Sequence, residues 1–158
     1  MVGNVGTPAV QGLFEAHLTV AELEASLAFY RDVVGLELAY ELPERGAAFL
    51  WCGEPGGSML GVWAAGSAPM GMRLHVAFAV RVEELLDAPG ALAAHGVTPL
   101  SFFGEPADEP SVIGWMPAAS VFFEDPDGHS LEYLAMLDEP AWPDAGITTW
   151  SRWVEGGR

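Results

Sequence analysis

Between residues 121 and 137, two apolar runs flank an Asp125-Pro126-Asp127-Gly128 turn, and this pattern predicts a β-hairpin. One acid, Glu132, interrupts the second run among Leu131, Tyr133, Leu134 and Met136. A carboxylate at that position is expected to be buried or half-buried, and leaving it unpartnered there costs several kcal/mol. Glu132 therefore requires a cation, a hydrogen-bond network or a raised pKa.

The same reading divides the rest of the chain. Residues 1–12 form an aperiodic lead-in. Residues 13–20 read as a strand. Leu23, Leu27, Tyr30 and Val34 then recur at helical spacing, and Gly35 supplies a stop. Strands are predicted over residues 36–41, 47–52 and 58–64, the last two separated by the Pro55-Gly56-Gly57 turn. Residues 65–72 have the composition of a linker. A strand over 73–80 restarts the pattern. A helix follows over 82–95, with a break or kink expected near Pro89-Gly90 and an end at Gly96. Residues 97–103 read as a strand, 104–117 as a long Pro-rich loop, and 118–124 with 130–137 as the closing hairpin.

The two halves align as a repeat. His17 and His75 each stand in an opening strand, shortly before a helix that ends in glycine. Residues 55–61 align without a gap on residues 126–132, which sets Gly61 opposite Glu132. The spacing from His17 to Gly61 is 44 residues and that from His75 to Glu132 is 57; the long loop of the second half accounts for the difference. Residues 138–158 lie outside the repeat and hold Trp142, Trp150 and Trp153. Such a tail is expected to pack on this domain, on a partner or at a pocket mouth.

Composition narrows the function classes. The chain has 158 residues, 51% of them hydrophobic and 18% charged, which suits one globular domain. All six basic residues are Arg, against 22 acids, for a net charge of −16. Phosphate backbones need clustered cations, so a nucleic-acid partner is not expected. No apolar run is long enough for a membrane span. A single cysteine, Cys52, and an N-terminus without a basic or apolar leader lead us to expect a cytoplasmic protein.

Three segments carry a family resemblance: His17-Leu18-Thr19-Val20, residues 27–36 (Leu-Ala-Phe-Tyr-Arg-Asp-Val-Val-Gly-Leu), and residues 125–132 (Asp-Pro-Asp-Gly-His-Ser-Leu-Glu). On these residues the chain resembles the vicinal oxygen chelate superfamily, which includes glyoxalase I, bleomycin-resistance proteins and extradiol ring-cleaving dioxygenases. The resemblance implies an α+β fold in a single domain over residues 1–137. Two βαβββ modules, 13–64 and 73–137, are joined by the linker 65–72 and curl an eight-stranded mixed sheet into a glyoxalase-like cup. It also implies metal ligands on the first and last strand of each module. Those positions hold His17, Gly61, His75 and Glu132. Glyoxalase-like members often place a carboxylate where this chain has Gly61. The remaining set of His17, His75 and Glu132 matches the dioxygenases, and the resemblance further implies a homodimer.

Two imidazoles and one carboxylate leave about three open positions on an octahedral ion. That set favours Fe(II), with Mn, Zn, Co or Ni as alternatives, and a small substrate bound through two neighbouring oxygens. A lone strand histidine is more often a core residue than a ligand; it is the matched positions and Glu132 that favour ligation. Phe49, Trp51, Met59, Trp63, Phe103 and Trp115 are candidates for a substrate pocket, and core packing explains them as well. Strand alternation puts Met59, Gly61 and Trp63 on one side and leaves the face of Phe49 and Trp51 open. His95 reads as a helix-end residue, His129 as a turn residue and Cys52 as an apolar filler. Two rival functions remain: a metal-free drug-binding resistance protein, favoured by the −16 charge, and a glyoxalase- or epimerase-like lyase or isomerase.

Overall fold

The computed structural model describes residues 12–65 and 73–156. The expected lead-in and linker therefore lie almost entirely outside the described residues. Module one runs β1 (Glu15–Val20), α1 (Leu23–Asp32), β2 (Glu37–Leu42), β3 (Ala47–Cys52) and β4 (Ser58–Ala64). Module two runs β5 (His75–Ala79), α2 (Val82–Ala94), β6 (Ser111–Ile113), β7 (Ala118–Glu124) and β8 (Ser130–Met136). The tail adds β9 (Ile147–Thr149) and α3 (Trp150–Val154). None of the described helices is long and apolar enough to cross a membrane.

The expected eight strands become nine among the described residues, in two mixed sheets. One sheet has the order β1-β4-β3-β2 and the other β5-β8-β7-β6-β9. In each module the first strand pairs parallel with the last and stands at the sheet edge, so β1 and β5 occupy equivalent places. The ninth strand comes from the tail, which pairs β9 with β6 and so packs on this domain itself. Trp142 and Gly114 bind each other's neighbourhood through backbone bonds, Trp142 N–H to Gly114 O and Gly114 N–H to Gly146 O, both 2.8 Å.

Two local expectations fail for physical reasons. The strand expected over 97–103 does not form: Pro99 lacks an N–H, and a turn closes from Ser101 to Gly104. Leu100 alone bridges Phe122, and β6, inside the expected loop, continues that edge along β7. Of the break or kink expected near Pro89, the break does not occur. Helix α2 runs through it, with Pro89 on the same buried face as Leu85, Ala88 and Leu92, so burial offsets the lost hydrogen bond.

The burial alternation assigns the two faces of each sheet. Leu18 and Val20, Leu60 and Val62, and Ala48 and Leu50 are buried in the core. Their alternate neighbours, including His17, Gly61, Trp63, Phe49 and Trp51, therefore share the opposite, open face. In the second sheet Leu131, Ala135, Val121 and Phe123 enter the same core. His75, Ser130, Glu132, Ser120 and Phe122 take the open face.

The β7–β8 turn locks the modules together. The hydroxyl of Tyr30 donates to Asp125 Oδ2 at 2.8 Å, and Asp127 Oδ1 accepts from the Ala21 N–H at 2.8 Å. His129 is buried; its Nδ1 accepts from the Leu74 N–H, so Nε2 carries the proton and donates to Thr19 O at 2.9 Å. The sequence marked His129 only as a turn residue, whereas it ties the two modules together.

Candidate metal centre

The awkward acid of the closing hairpin has found its partners. Glu132 is 5% exposed, and its Oε1 accepts a short hydrogen bond from the Ser120 hydroxyl. Its Oε2 lies 3.1 Å from His75 Nε2. The other ring nitrogen of His75, Nδ1, is 3.2 Å from Ser130 Oγ. This arrangement follows from register. Ser130 stands opposite His75, and Glu132 is two residues further along the same face of the parallel partner strand. Phe122, which is opposite Glu132 on β7, stacks on the His75 ring at 6.2 Å. A hydrogen-bond network, rather than burial alone, thus accommodates the carboxylate.

His17 stands on the other sheet with a carboxylate of its own: its Nε2 lies 2.8 Å from Glu15 Oε1. Trp63 and Phe49 flank the ring at 5.6 and 5.9 Å, and the Arg45 guanidinium lies over Trp63. No group of three His, Cys, Asp or Glu side chains close enough to hold one ion forms among the described residues of a single chain. The structure therefore brings His75 and Glu132 together and leaves His17 apart from them.

The donor set can be tested against a divalent ion. Adjacent ligands about 2.1 Å from an octahedral ion stand about 3 Å apart. The His75–Glu132 separation of 3.1 Å matches, with one imidazole nitrogen and one carboxylate oxygen converging. Ser130 and Ser120 hold the far sides of these two groups, as outer partners of metal ligands do. These two residues fit half of a metal site.

The pocket candidates separate into groups. Phe49 and Trp63 lie against His17, which fixes the face that the sequence left open for Phe49 and Trp51. Trp51 is opposite Met59 in the β3–β4 register, and Met59 borders a cleft of about 400 Å³ between β1 and β5. Cys52 also lines that cleft, and burial pushes its thiol up from the ordinary value. Phe103 is exposed and touches Phe102, which in turn packs edge-on against Phe122. Trp115 is exposed in the turn between β6 and β7, and no aromatic contact links it to either histidine among the described residues.

Sequence reasoning missed Glu15, Ser120 and Phe122. Alternation alone pairs Glu15 with His17 on one face and could have found it; the other two needed the β7–β8 register.

Comparison with known proteins agrees with this architecture. The sequence profile of the Glyoxalase/Bleomycin resistance protein/Dioxygenase superfamily matches residues 12–133. An integron cassette protein from the mobile metagenome of the Halifax Harbour sewage outfall is similar at 30% identity and a TM-score of 0.66, covering 80% of this chain and 100% of that one. A glyoxalase/bleomycin resistance protein/dioxygenase from Nocardioides is similar at 26% identity and a TM-score of 0.61, over 85% of this chain and 89% of that one. Lactoylglutathione lyase from Agrobacterium tumefaciens, at 24% identity and a TM-score of 0.62 over 81% and 96% of the two chains, shares the fold. With two βαβββ modules and a profile match over most of its length, the chain belongs to the glyoxalase/bleomycin resistance protein/dioxygenase superfamily.

Proposed function

We infer that the chain is a metal-dependent enzyme that binds a small substrate through two neighbouring oxygens, most like a ring-cleaving dioxygenase. The observation that carries this reading is the His75–Glu132 pair, whose two donor atoms converge at 3.1 Å while serines hold their far sides. His17 is the third donor. Among the described residues of one chain it stays apart from the pair, and in this reading a second copy completes the site. The first strands, β1 and β5, are both sheet edges, and a twofold homodimer that sets β1 of one copy beside β5 of the other joins His17 to the pair.

A bound Fe(II), or Mn, Zn, Co or Ni in its place, would supply Lewis acidity toward the substrate oxygens and, for iron, a position for dioxygen. The chain's own residues hold and enclose the substrate. Phe49 and Trp63 on the first sheet, Phe122 on the second and Phe102 in the turn beside it give flat apolar walls that exclude water and suit a planar ring. The −16 charge raises the local concentration of divalent cations.

Metal analysis of protein prepared anaerobically tests the reading. Wild type is expected to hold one divalent ion per chain, and His75→Ala and Glu132→Ala to lose it. A protein that takes up no divalent metal under any loading sinks the proposal.

A further inference from the structure

The tail forms two adjoining hollows that the metal centre does not use. Pro140 borders one, of about 390 Å³, and Val154 borders the other, of about 280 Å³. Glu139, Trp142 and Trp153 line both. The two indole rings stand 6.2 Å apart at 40°, so they open as a shallow V instead of stacking flat. Both rings are half-buried, and Glu139 is exposed beside them.

The two rings come from separate segments, each with its own anchors. The Trp142 N–H donates to Gly114 O at 2.8 Å, and the Trp142 carbonyl accepts from the Ala145 N–H at 3.0 Å. A Cβ on Gly114 would lie 2.5 Å from that carbonyl oxygen, so only glycine lets the segment approach this closely. Trp153 is carried by α3. That helix is tied down by the Trp150 N–H, which donates to Pro110 O at 2.9 Å, and by Ser151, whose N–H and hydroxyl donate to the Glu109 carboxylate. The V is thus built by the chain itself and needs little reordering to take a ligand.

The face of an indole attracts a cation that lies within about 6 Å of the ring centroid. With centroids 6.2 Å apart, one cation reaches both faces of the V. Glu139 adds a full negative charge at the same place, and residues 138–156 hold four acids against one base, Arg152. Among the described residues the arginine that lies over an indole does so elsewhere, Arg45 above Trp63. A methylated ammonium suits the V better than a bare ion, because its methyl groups bury apolar surface against the rings.

We propose that Glu139, Trp142 and Trp153 form a binding site for the quaternary or methylated ammonium group of a small molecule. The site lies beyond residues 12–133, which match the family profile, and it does not depend on the metal centre.

Titration of the full chain with choline, followed by NMR of the indole N–H groups, tests the site. Choline is expected to shift the Trp142 and Trp153 signals to saturation. Dimethylbutanol, its neutral carbon isostere, is expected to bind about tenfold more weakly or worse. Trp142→Leu keeps an apolar side chain without a π-face and is expected to weaken choline binding about tenfold. Glu139→Gln is expected to weaken it about threefold. Glu24→Gln, an exposed acid of α1, should change it less than about twofold and controls for net charge. Equal binding of choline and dimethylbutanol would reduce the hollows to plain apolar surface and overturn the proposal. So would choline that leaves the Trp142 and Trp153 signals unmoved. If Trp142→Leu melts below wild type, the isostere and Glu139→Gln decide instead, and choline binding unchanged in Glu139→Gln counts against the site.

Discussion

A Cβ atom on Gly61 would lie 2.7 Å from Cδ2 of His17 and 3.2 Å from Cε1 of Phe49. Gly61 is therefore the space that the His17 ring occupies. The absence of a carboxylate here and the position of the histidine are one fact. Gly61→Ala is expected to push both rings from their places and destabilise the fold by about 1–3 kcal/mol, measured by urea denaturation. Gly61→Glu, which nominally restores a four-ligand pattern, is expected to bind Co(II) more weakly than wild type, because its stem displaces His17. Tighter binding by Gly61→Glu would show that His17 can relocate.

If two copies build each site, variants with complementary damage rescue one another. His17→Ala and Glu132→Gln each lose the metal alone. Subunit exchange between them puts one intact site and one doubly damaged site into each mixed dimer. Random exchange then restores about a quarter of the wild-type metal content. A site built within one chain recovers none, so metal analysis after mixing decides between the two arrangements.

The residues that were legible in the sequence are those fixed by period and turn chemistry. Ala47–Cys52, Ser58–Ala64 and Ala118–Glu124 form strands with the expected bounds, since each is an apolar run closed by a turn. The repeat also put His17 and His75 on equivalent edge strands. What stayed hidden depends on partners distant in sequence. Ser120 reaches Glu132 only once the hairpin register is set. Leu100 pairs with Phe122 as a single residue, which no local period reveals. His129 looks like a turn residue until the carbonyl of Thr19, 110 residues away, arrives to accept its hydrogen bond.

His129 makes a prediction of its own. His129→Phe keeps the ring's bulk but strands the Leu74 N–H and the Thr19 carbonyl, two backbone groups in the joint between the modules. Each unmet group costs about 1–3 kcal/mol where water is excluded. The expected loss is at the upper end of that range in total, read from urea midpoints, with loosened amide protection in both β1 and β5. Loosening confined to β5 would show that the contact with Thr19 does not couple the modules.

The tail is expected to behave as part of the second sheet. Truncation after residue 137 removes β9 and bares the β6 edge, while Gly114 loses both of its backbone partners. An unpaired edge is a template for aggregation. The truncated chain should unfold at lower temperature and scatter light on heating, with metal binding retained at low temperature because His17, His75 and Glu132 lie outside the tail. An unchanged melting curve would mean that β9 adds nothing to the sheet.

Tyr30 links stability to alkaline pH. Its hydroxyl is fully buried and donates to Asp125, so burial first and the Asp125 charge second hold the proton far above the ordinary phenol value of 10.0. Burial also pushes Tyr133 up to about 12. A raised native pKa gives stability that is complete below the unfolded value and declines once the unfolded chain ionises. Above pH 10 each such tyrosine therefore lowers stability by about 1.4 kcal/mol per pH unit. The chain has no lysine to titrate in the same window. Tyr30→Phe leaves Asp125 Oδ2 without its donor and is expected to cost about 1–3 kcal/mol at pH 8. It also removes one of the two alkaline slopes. Urea melts at pH 8, 10 and 11 should show the gap between wild type and variant narrowing, relative to pH 8, by about 0.4 kcal/mol at pH 10 and about 1.4 kcal/mol at pH 11. A gap that stays constant across the series would mean that Tyr30 ionises in the native state as readily as in the unfolded one.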